Sequence, residues 1–160
     1  MKKRIISLFS GAGGFDIGMA DAGFETAVLV EIDPSCCDTL RANLPDVPVI
    51  EGDIREVTTK IILKTANLKP LEASLVIGGP PCQSFSLAGK REGLNDSRGM
   101  LVMEFARVVA EALPVAFVME NVRGMVNWDK GRAMKMILDV FKKPVRYQGN
   151  EYYYLSLIHI

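Results

Sequence analysis

Five short apolar runs, at residues 4–9, 27–32, 47–50, 75–77 and 115–119, are separated by segments long enough to hold a helix each. A run that stays apolar on consecutive positions suits a strand buried on both faces, and parallel strands of that kind need crossover helices. Helices are predicted over 14–22, 34–43, 58–66 and 99–112, with a further one over 132–141. Pro34 suits a first helical position, where its missing N–H costs nothing. Leu101, Phe105, Val108, Val109 and Ala112 recur at three- and four-residue steps, and Met136, Ile137, Val140 and Phe141 gather on one face in the same way. This order predicts an α/β domain built on a doubly wound, mostly parallel sheet.

Of the 160 residues, 49% are hydrophobic, which is enough to bury a core and excludes a disordered chain. Nineteen basic residues balance nineteen acidic ones. A strongly basic nucleic-acid binder is therefore not advertised by charge, and any such contact is local or made by a surface outside this chain. Three cysteines, Cys36, Cys37 and Cys82, have no disulfide-framework spacing, so a reducing cytoplasmic setting is expected. His159 is the only histidine, which argues against a histidine-based triad or a metal centre, and no metal is expected. The basic start and the apolar residues 5–9 are cut short by Gly11, Gly13 and Gly14, too early for an export signal. No run approaches the ~18 apolar residues of a membrane span, so no membrane partner is expected.

Three places carry candidate chemistry. The first is Phe9-Ser10-Gly11-Ala12-Gly13-Gly14-Phe15-Asp16, where glycines after the first strand allow a tight turn and close approach of a ligand. Alone it is as readily a plain strand-to-helix turn. Glu31, 22 residues after Phe9, stands where a nucleoside-binding domain places its ribose acid, and Asp53 follows the third strand. A dinucleotide fingerprint needs glycine where this chain has Asp16; a phosphate-free ligand with a cationic centre tolerates that carboxylate better. S-adenosylmethionine fits this description, and NAD is the weaker alternative. The second place is Gly79-Pro80-Pro81-Cys82-Gln83-Ser84-Phe85-Ser86. An isolated cysteine is usually a small buried hydrophobe, but Cys82 lies in a polar loop of 21 residues (78–98), where a nucleophile is the better reading. Lys90, Arg91 and Arg98 in that loop can favour its thiolate or bind phosphate. Cys36 and Cys37 are read as packing residues on a helix. The third place is Glu120-Asn121-Val122, where an apolar strand ends in a carboxylate suited to acid/base work, or merely to solvation.

The segments 9–14 and 79–86, Asp96-Ser97-Arg98-Gly99 and Glu120-Asn121-Val122, in this order, closely resemble the C5-cytosine DNA methyltransferases, over at least residues 4–141. The resemblance implies a cofactor site for S-adenosylmethionine formed by Phe9, Ser10, Gly11, Gly13 and Gly14. Glu31 would lie on the ribose hydroxyls and Asp53 at the adenine amino group, with Ile32 and Ile54 flanking the adenine and Pro81 and Leu101 lining the pocket. It implies Cys82 as the nucleophile that attacks C6 of a flipped cytosine and Glu120 as the acid holding the base, with Gln83, Ser86, Lys90, Arg98 and Asn121 on the substrate side. Double-stranded DNA is the implied partner, and a restriction endonuclease of the same bacterial system a further one.

The resemblance also has a missing part. After Glu120-Asn121-Val122 the family continues with a Gln-x-Arg-x-Arg stretch, a target-recognition domain and a segment that closes the cofactor site, none of which follows here. Residues 1–154 are expected to be the N-terminal part of the catalytic and cofactor-binding domain, inactive alone. Residues 155–160 resemble sequencing-adapter read-through, a non-native tail. A tRNA cytosine methyltransferase of the same family shares these motifs; a non-catalytic nucleotide-binding module and an NAD-dependent oxidoreductase are the remaining alternatives.

Overall fold

The computed structural model describes residues 3–81, 99–122 and 131–155, which fall into two compact units. One comprises residues 1–80 and 107–120, the other residues 81–106 and 121–160.

The first unit holds β1 (Arg4–Leu8), α1 (Gly14–Asp21), β2 (Glu25–Glu31), α2 (Pro34–Asn43), β3 (Val49–Glu51), α3 (Thr59–Thr65), β4 (Leu75–Gly78), the last turns of α4 (Gly99–Ala112) and β5 (Ala116–Met119). The strand order is β3-β2-β1-β4-β5, and every pairing is parallel. The doubly wound sheet expected from the apolar runs is therefore present. Ile5, Ile6 and Leu8 of the central strand have no exposed surface, nor have Val28, Leu29, Val76 and Ile77 beside them. Each such side chain contributes about 1.5–3 kcal/mol on burial. The chain winds outward from β1 to β3 and then returns to the other side of β1 for β4. That reversal puts a topological switch point at the carboxyl ends of β1 and β4, where open α/β sheets bind ligands.

Element ends depart from the sequence reading for local reasons. β1 stops at Leu8 because Phe9 turns to φ 53°. β2 begins at Glu25, whose N–H donates to the Lys3 carbonyl at 2.9 Å. The Val47 N–H closes a turn onto Leu44 at 3.0 Å, so β3 starts only at Val49. Thr58 lies outside α3 as its cap, with its hydroxyl accepting from the Ile61 N–H at 3.3 Å. Asp33 caps α2 by accepting from the N–H groups of Ser35 (2.9 Å) and Cys36 (3.1 Å), with Pro34 at the first helical position as expected. Cys37 is fully buried with Leu40, whereas Cys36 is half-buried.

The second unit holds the first turns of α4, a helix α5 (Arg132–Phe141), and a hairpin of β6 (Val145–Tyr147) and β7 (Asn150–Tyr152). The rings of Phe105 and Phe141 meet edge-on, with centroids 6.4 Å apart and planes at 76°. The hairpin was not expected from the sequence. Gln148 and Gly149, at φ 48° and 82°, form its two-residue turn, with the left-handed pair that a type I′ turn requires. Arg146 and Glu151 face each other across it at 2.8 Å. Among the described residues, no helix is long and apolar enough to cross a membrane, and no group of three or more His, Cys, Asp or Glu side chains is placed to hold a metal ion.

A small polar network lies under the centre of the sheet edge. Asp16 is 2% exposed and accepts hydrogen bonds from the hydroxyls of Ser7 and Thr26, both at 3.0 Å. The carboxylate that the sequence reading set against the ligand is therefore turned into the protein, where it joins α1 to β1 and β2. Burial pushes its pKa up, and the hydrogen bonds from Ser7 and Thr26 oppose that rise only in part. A folded pKa above the unfolded one gives a contribution to stability that is full below the unfolded value and lost as pH rises through the folded value. In urea unfolding between pH 4 and pH 7, Asp16→Asn should therefore gain on the wild type as pH rises; a constant gap would show that Asp16 titrates alike in both states.

Candidate active site at the carboxyl edge

β1 delivers the chain into the glycine-rich loop. Phe9 is held at φ 53°, a left-handed conformation that costs a bulky residue about 1–3 kcal/mol. Ser10 holds it there. Its N–H donates to the Val30 carbonyl at 3.2 Å, and its hydroxyl lies 3.0 Å from the Ser7 hydroxyl and 3.2 Å from the Ser7 carbonyl. Gly11 (φ 53°) and Gly13 (φ 86°) complete the turn, and the Gly13 carbonyl accepts the first bond of α1 from the Ile17 N–H at 3.0 Å. A Cβ placed on Gly11 or Gly14 would meet no atom within 4 Å, so this backbone faces open space.

Glu31, at the end of β2, reaches across to this loop. One carboxylate oxygen accepts from the Gly11 N–H at 2.7 Å, and the other from the N–H groups of Ile32 (2.8 Å) and Asp33 (2.9 Å). Beside it the Ile32 side chain is 60% exposed. The Glu31 carbonyl accepts from the Gly52 N–H at 2.9 Å, which brings the end of β3 and Asp53 alongside. Asp53 accepts from the Arg55 N–H at 2.9 Å and pairs with the Arg55 guanidinium through both oxygens. That guanidinium is the main reason its carboxyl lies below the usual range. Ile54 is 5% exposed and belongs to the core. On the other side of β1, the Glu120 N–H donates to the Gly78 carbonyl at 3.0 Å, extending the parallel ladder by one bond. The Glu120 carboxylate then lies over Gly79, with Oε2 only 3.1 Å from where a Cβ at that position would stand. A side chain at position 79 would displace it.

The structure thus brings Phe9, Ser10, Gly11, Gly13, Gly14, Glu31, Ile32, Asp53, Ile54 and Glu120 to one edge of one unit. Pro81, Leu101 and Asn121 belong to the second unit, where Pro81 is exposed, Leu101 half-buried, and the Asn121 amide oxygen accepts from the Val122 N–H at 2.8 Å. Cys82, Gln83, Ser86, Lys90 and Arg98 lie outside the described residues. Two arginines escaped the sequence reading. Arg55 had a local signal, two positions after Asp53; Arg107, which bonds to the segment after Asp53, had none.

The donor set has a clear chemical bias. No Lys or Arg lies between Phe9 and Asp16, and the side-chain acceptors are carboxylates. Carboxylates at such an edge suit hydroxyl and amino groups as partners. The two left-handed glycines differ in what surrounds them. A Cβ on Gly13 would stand 3.0 Å from Leu40 Cδ2, whereas one on Gly11 meets nothing. Gly11→Ala should cost about 1–2 kcal/mol from its backbone conformation alone, and Gly13→Ala more, since steric conflict adds to the same strain. Urea unfolding of the two variants checks the ranking, and equal losses would contradict it.

Comparison with known proteins agrees with this arrangement. Residues 3–150 match the family of C-5 cytosine-specific DNA methylases. Over all 160 residues the chain is 64% identical to the Type II methyltransferase M.AquIA of Picosynechococcus sp., covering 64% of that protein. It is 43% identical over 145 residues to the Type II methyltransferase M1.HphI of Haemophilus parahaemolyticus, covering 89% of this chain and 38% of that one. The chain thus spans less than two thirds of the length of these relatives. A solved E. coli structure, described as a prophage-encoded DNA modification methyltransferase, superposes with a TM-score of 0.71 at 35% identity over 86% of this chain and 37% of its own. The parallel sheet, the loop after β1 and the match over residues 3–150 lead to one conclusion: this chain belongs to the C-5 cytosine-specific DNA methylase family.

Proposed function

We propose that the protein to which this chain belongs transfers a methyl group from S-adenosylmethionine to C5 of cytosine in double-stranded DNA, in a bacterial restriction-modification system with a cognate endonuclease. The observation that carries the reading is the carboxyl edge. An open glycine turn, Glu31 and Asp53 stand side by side there, and Glu120 lies over Gly79 two strands away. The open backbone at Gly11 and the carboxylates beside it fit the hydroxyl and amino groups of an adenosine. In this reading Glu31 accepts from the ribose hydroxyls, Asp53 from the adenine amino group, and Ile32 offers an apolar face to the ring; Phe9, Ser10, Gly13 and Gly14 shape the loop.

S-adenosylmethionine, when bound, supplies an electrophilic methyl group. The residues of this chain make the cytosine able to accept it. Cytosine C5 is a poor nucleophile inside a stacked aromatic base, so the base is flipped out and activated. The Cys82 thiolate forms a bond to C6, and the displaced ring electrons develop nucleophilic character at C5. Glu120 binds the N3 edge and amino group, stabilising the charge that builds up as sulfur adds. After C5 is alkylated it gives up its proton, the C6–S bond breaks, and Cys82 leaves as the thiolate. Gln83, Ser86, Lys90, Arg98 and Asn121 position the base and its phosphates. Most DNA affinity comes from phosphate contacts, so a chain of zero net charge relies on surfaces beyond these residues.

In the full-length protein, Cys82→Ser should abolish methyl transfer and leave cofactor affinity largely intact, because a neutral hydroxyl is a far weaker nucleophile. DNA bearing 5-fluorocytosine should become covalently attached to the wild type, since fluorine blocks the final loss from C5. An adduct formed by Cys82→Ser, or prevented by Cys36→Ser alone, would sink the assignment. Glu31→Ala should weaken S-adenosylmethionine binding by roughly 1–3 kcal/mol in calorimetry. Unchanged affinity would remove Glu31 from the cofactor site.

A further inference from the structure

The segment between β3 and α3 belongs to no strand or helix, yet the proposed reading, on which this inference rests, asks it to present Asp53 at a fixed place. The segment folds into a tight turn. The Asp53 carbonyl accepts from the N–H groups of Glu56 (2.9 Å) and Val57 (3.1 Å), and the Asp53 side chain from that of Arg55. These bonds are internal to the turn and do not themselves tie it to another element. Arg107, in the last two turns of α4 and 54 positions beyond Asp53, ties it to that helix. Its Nη2 donates to the carbonyls of Ile54 (2.9 Å) and Val57 (3.1 Å), and its Nη1 to the Thr59 hydroxyl (3.0 Å). Thr59 is itself buried, and Glu111, one turn along α4, lies 3.6 Å from the same guanidinium. One planar cation therefore grips both ends of the turn and the start of α3.

We propose that Arg107 is a positioning residue for cofactor recognition: by clamping the carbonyls of Ile54 and Val57 and the Thr59 hydroxyl, it fixes the turn that aims Asp53 at the adenine amino group. The physical argument is one of shape and charge. Hydrogen bonds from a cation are stronger than neutral ones, and the rigid guanidinium fork reaches several acceptors in fixed directions. Lysine keeps the charge but brings a single nitrogen, so it cannot span the same set. A loosened turn leaves Asp53 present but no longer pre-oriented, and ligand binding must then supply the ordering.

The test is a double-mutant cycle read by calorimetry in the full-length protein, with S-adenosylmethionine and an analogue lacking the adenine amino group as the two probes. Arg107→Lys should weaken S-adenosylmethionine binding about tenfold, the size of one charge-assisted hydrogen bond. The same substitution should change affinity for the analogue little, and should have no further effect once Asp53→Ala is in place. A general loosening of the fold would instead weaken both probes alike and add to the effect of Asp53→Ala. Thr59→Val, which keeps the side-chain shape and removes one acceptor, should give a smaller loss with the same pattern and serves if Arg107→Lys does not fold. The proposal alone is overturned if Asp53→Ala weakens binding while Arg107→Lys and Thr59→Val do not, or if their losses persist beside Asp53→Ala. Normal binding by Asp53→Ala overturns it together with the adenine reading of the site.

Discussion

The parallel pairing of β1 between β2 and β4 is the constraint from which the rest of the first unit follows. A strand bonded on both edges and covered on both faces has no room for ligand chemistry along its length. Whatever the chain recognises must meet it at the carboxyl end, where the strand runs out and backbone groups become available. The reversal of strand order falls at that same end. Ser7 is the polar exception within the apolar strand, and it shows how the core and the edge are joined. Its hydroxyl donates to Asp16 below the loop, and Ser10 returns to it from above. The loop is thus tied to the most deeply buried strand of the sheet.

The acidic groups at the edge are held in three different ways. Glu31 is gripped by backbone N–H groups from both its own strand end and the glycine loop, so its orientation is settled by main-chain geometry. Asp53 is held by a neighbouring guanidinium and by its own turn. Glu120 rests over a glycine that leaves room for it. Carboxylates fixed in advance lose little freedom when a donor arrives, which is the physical content of preorganisation. Glu31 retains accepting capacity at the oxygen that takes only the Gly11 N–H, whereas both oxygens of Asp53 are engaged by Arg55.

Much of the fold was legible because parallel strands are written as short uninterrupted apolar runs, and all five runs hold strands, although only the inner three are buried while the outer β3 and β5 are partly exposed. Gly11 and Gly13 were legible as a turn because positive φ leaves few alternatives to glycine. The β6–β7 hairpin was not legible. Its strands have three residues each, are half-buried at most, and are joined by Gln148-Gly149 rather than a stronger turn pair. Asp16 was legible as an acid in the right neighbourhood but not as a buried one, because its direction depends on Ser7 and Thr26, which come from two different strands.

The sequence by itself determined the order of strands and helices, the glycine loop, and the residue types at each strand end, since these depend on local periodicity and backbone chemistry. Its motifs also placed the chain in its family. Only the tertiary structure decided which groups share a partner. Glu31 reaches a loop 20 residues away, and Arg107 clamps a turn more than 50 positions distant. Such contacts carry no periodic trace in the chain. They depend on how the crossover helices return each segment to the sheet, and that return exists only once the core has packed.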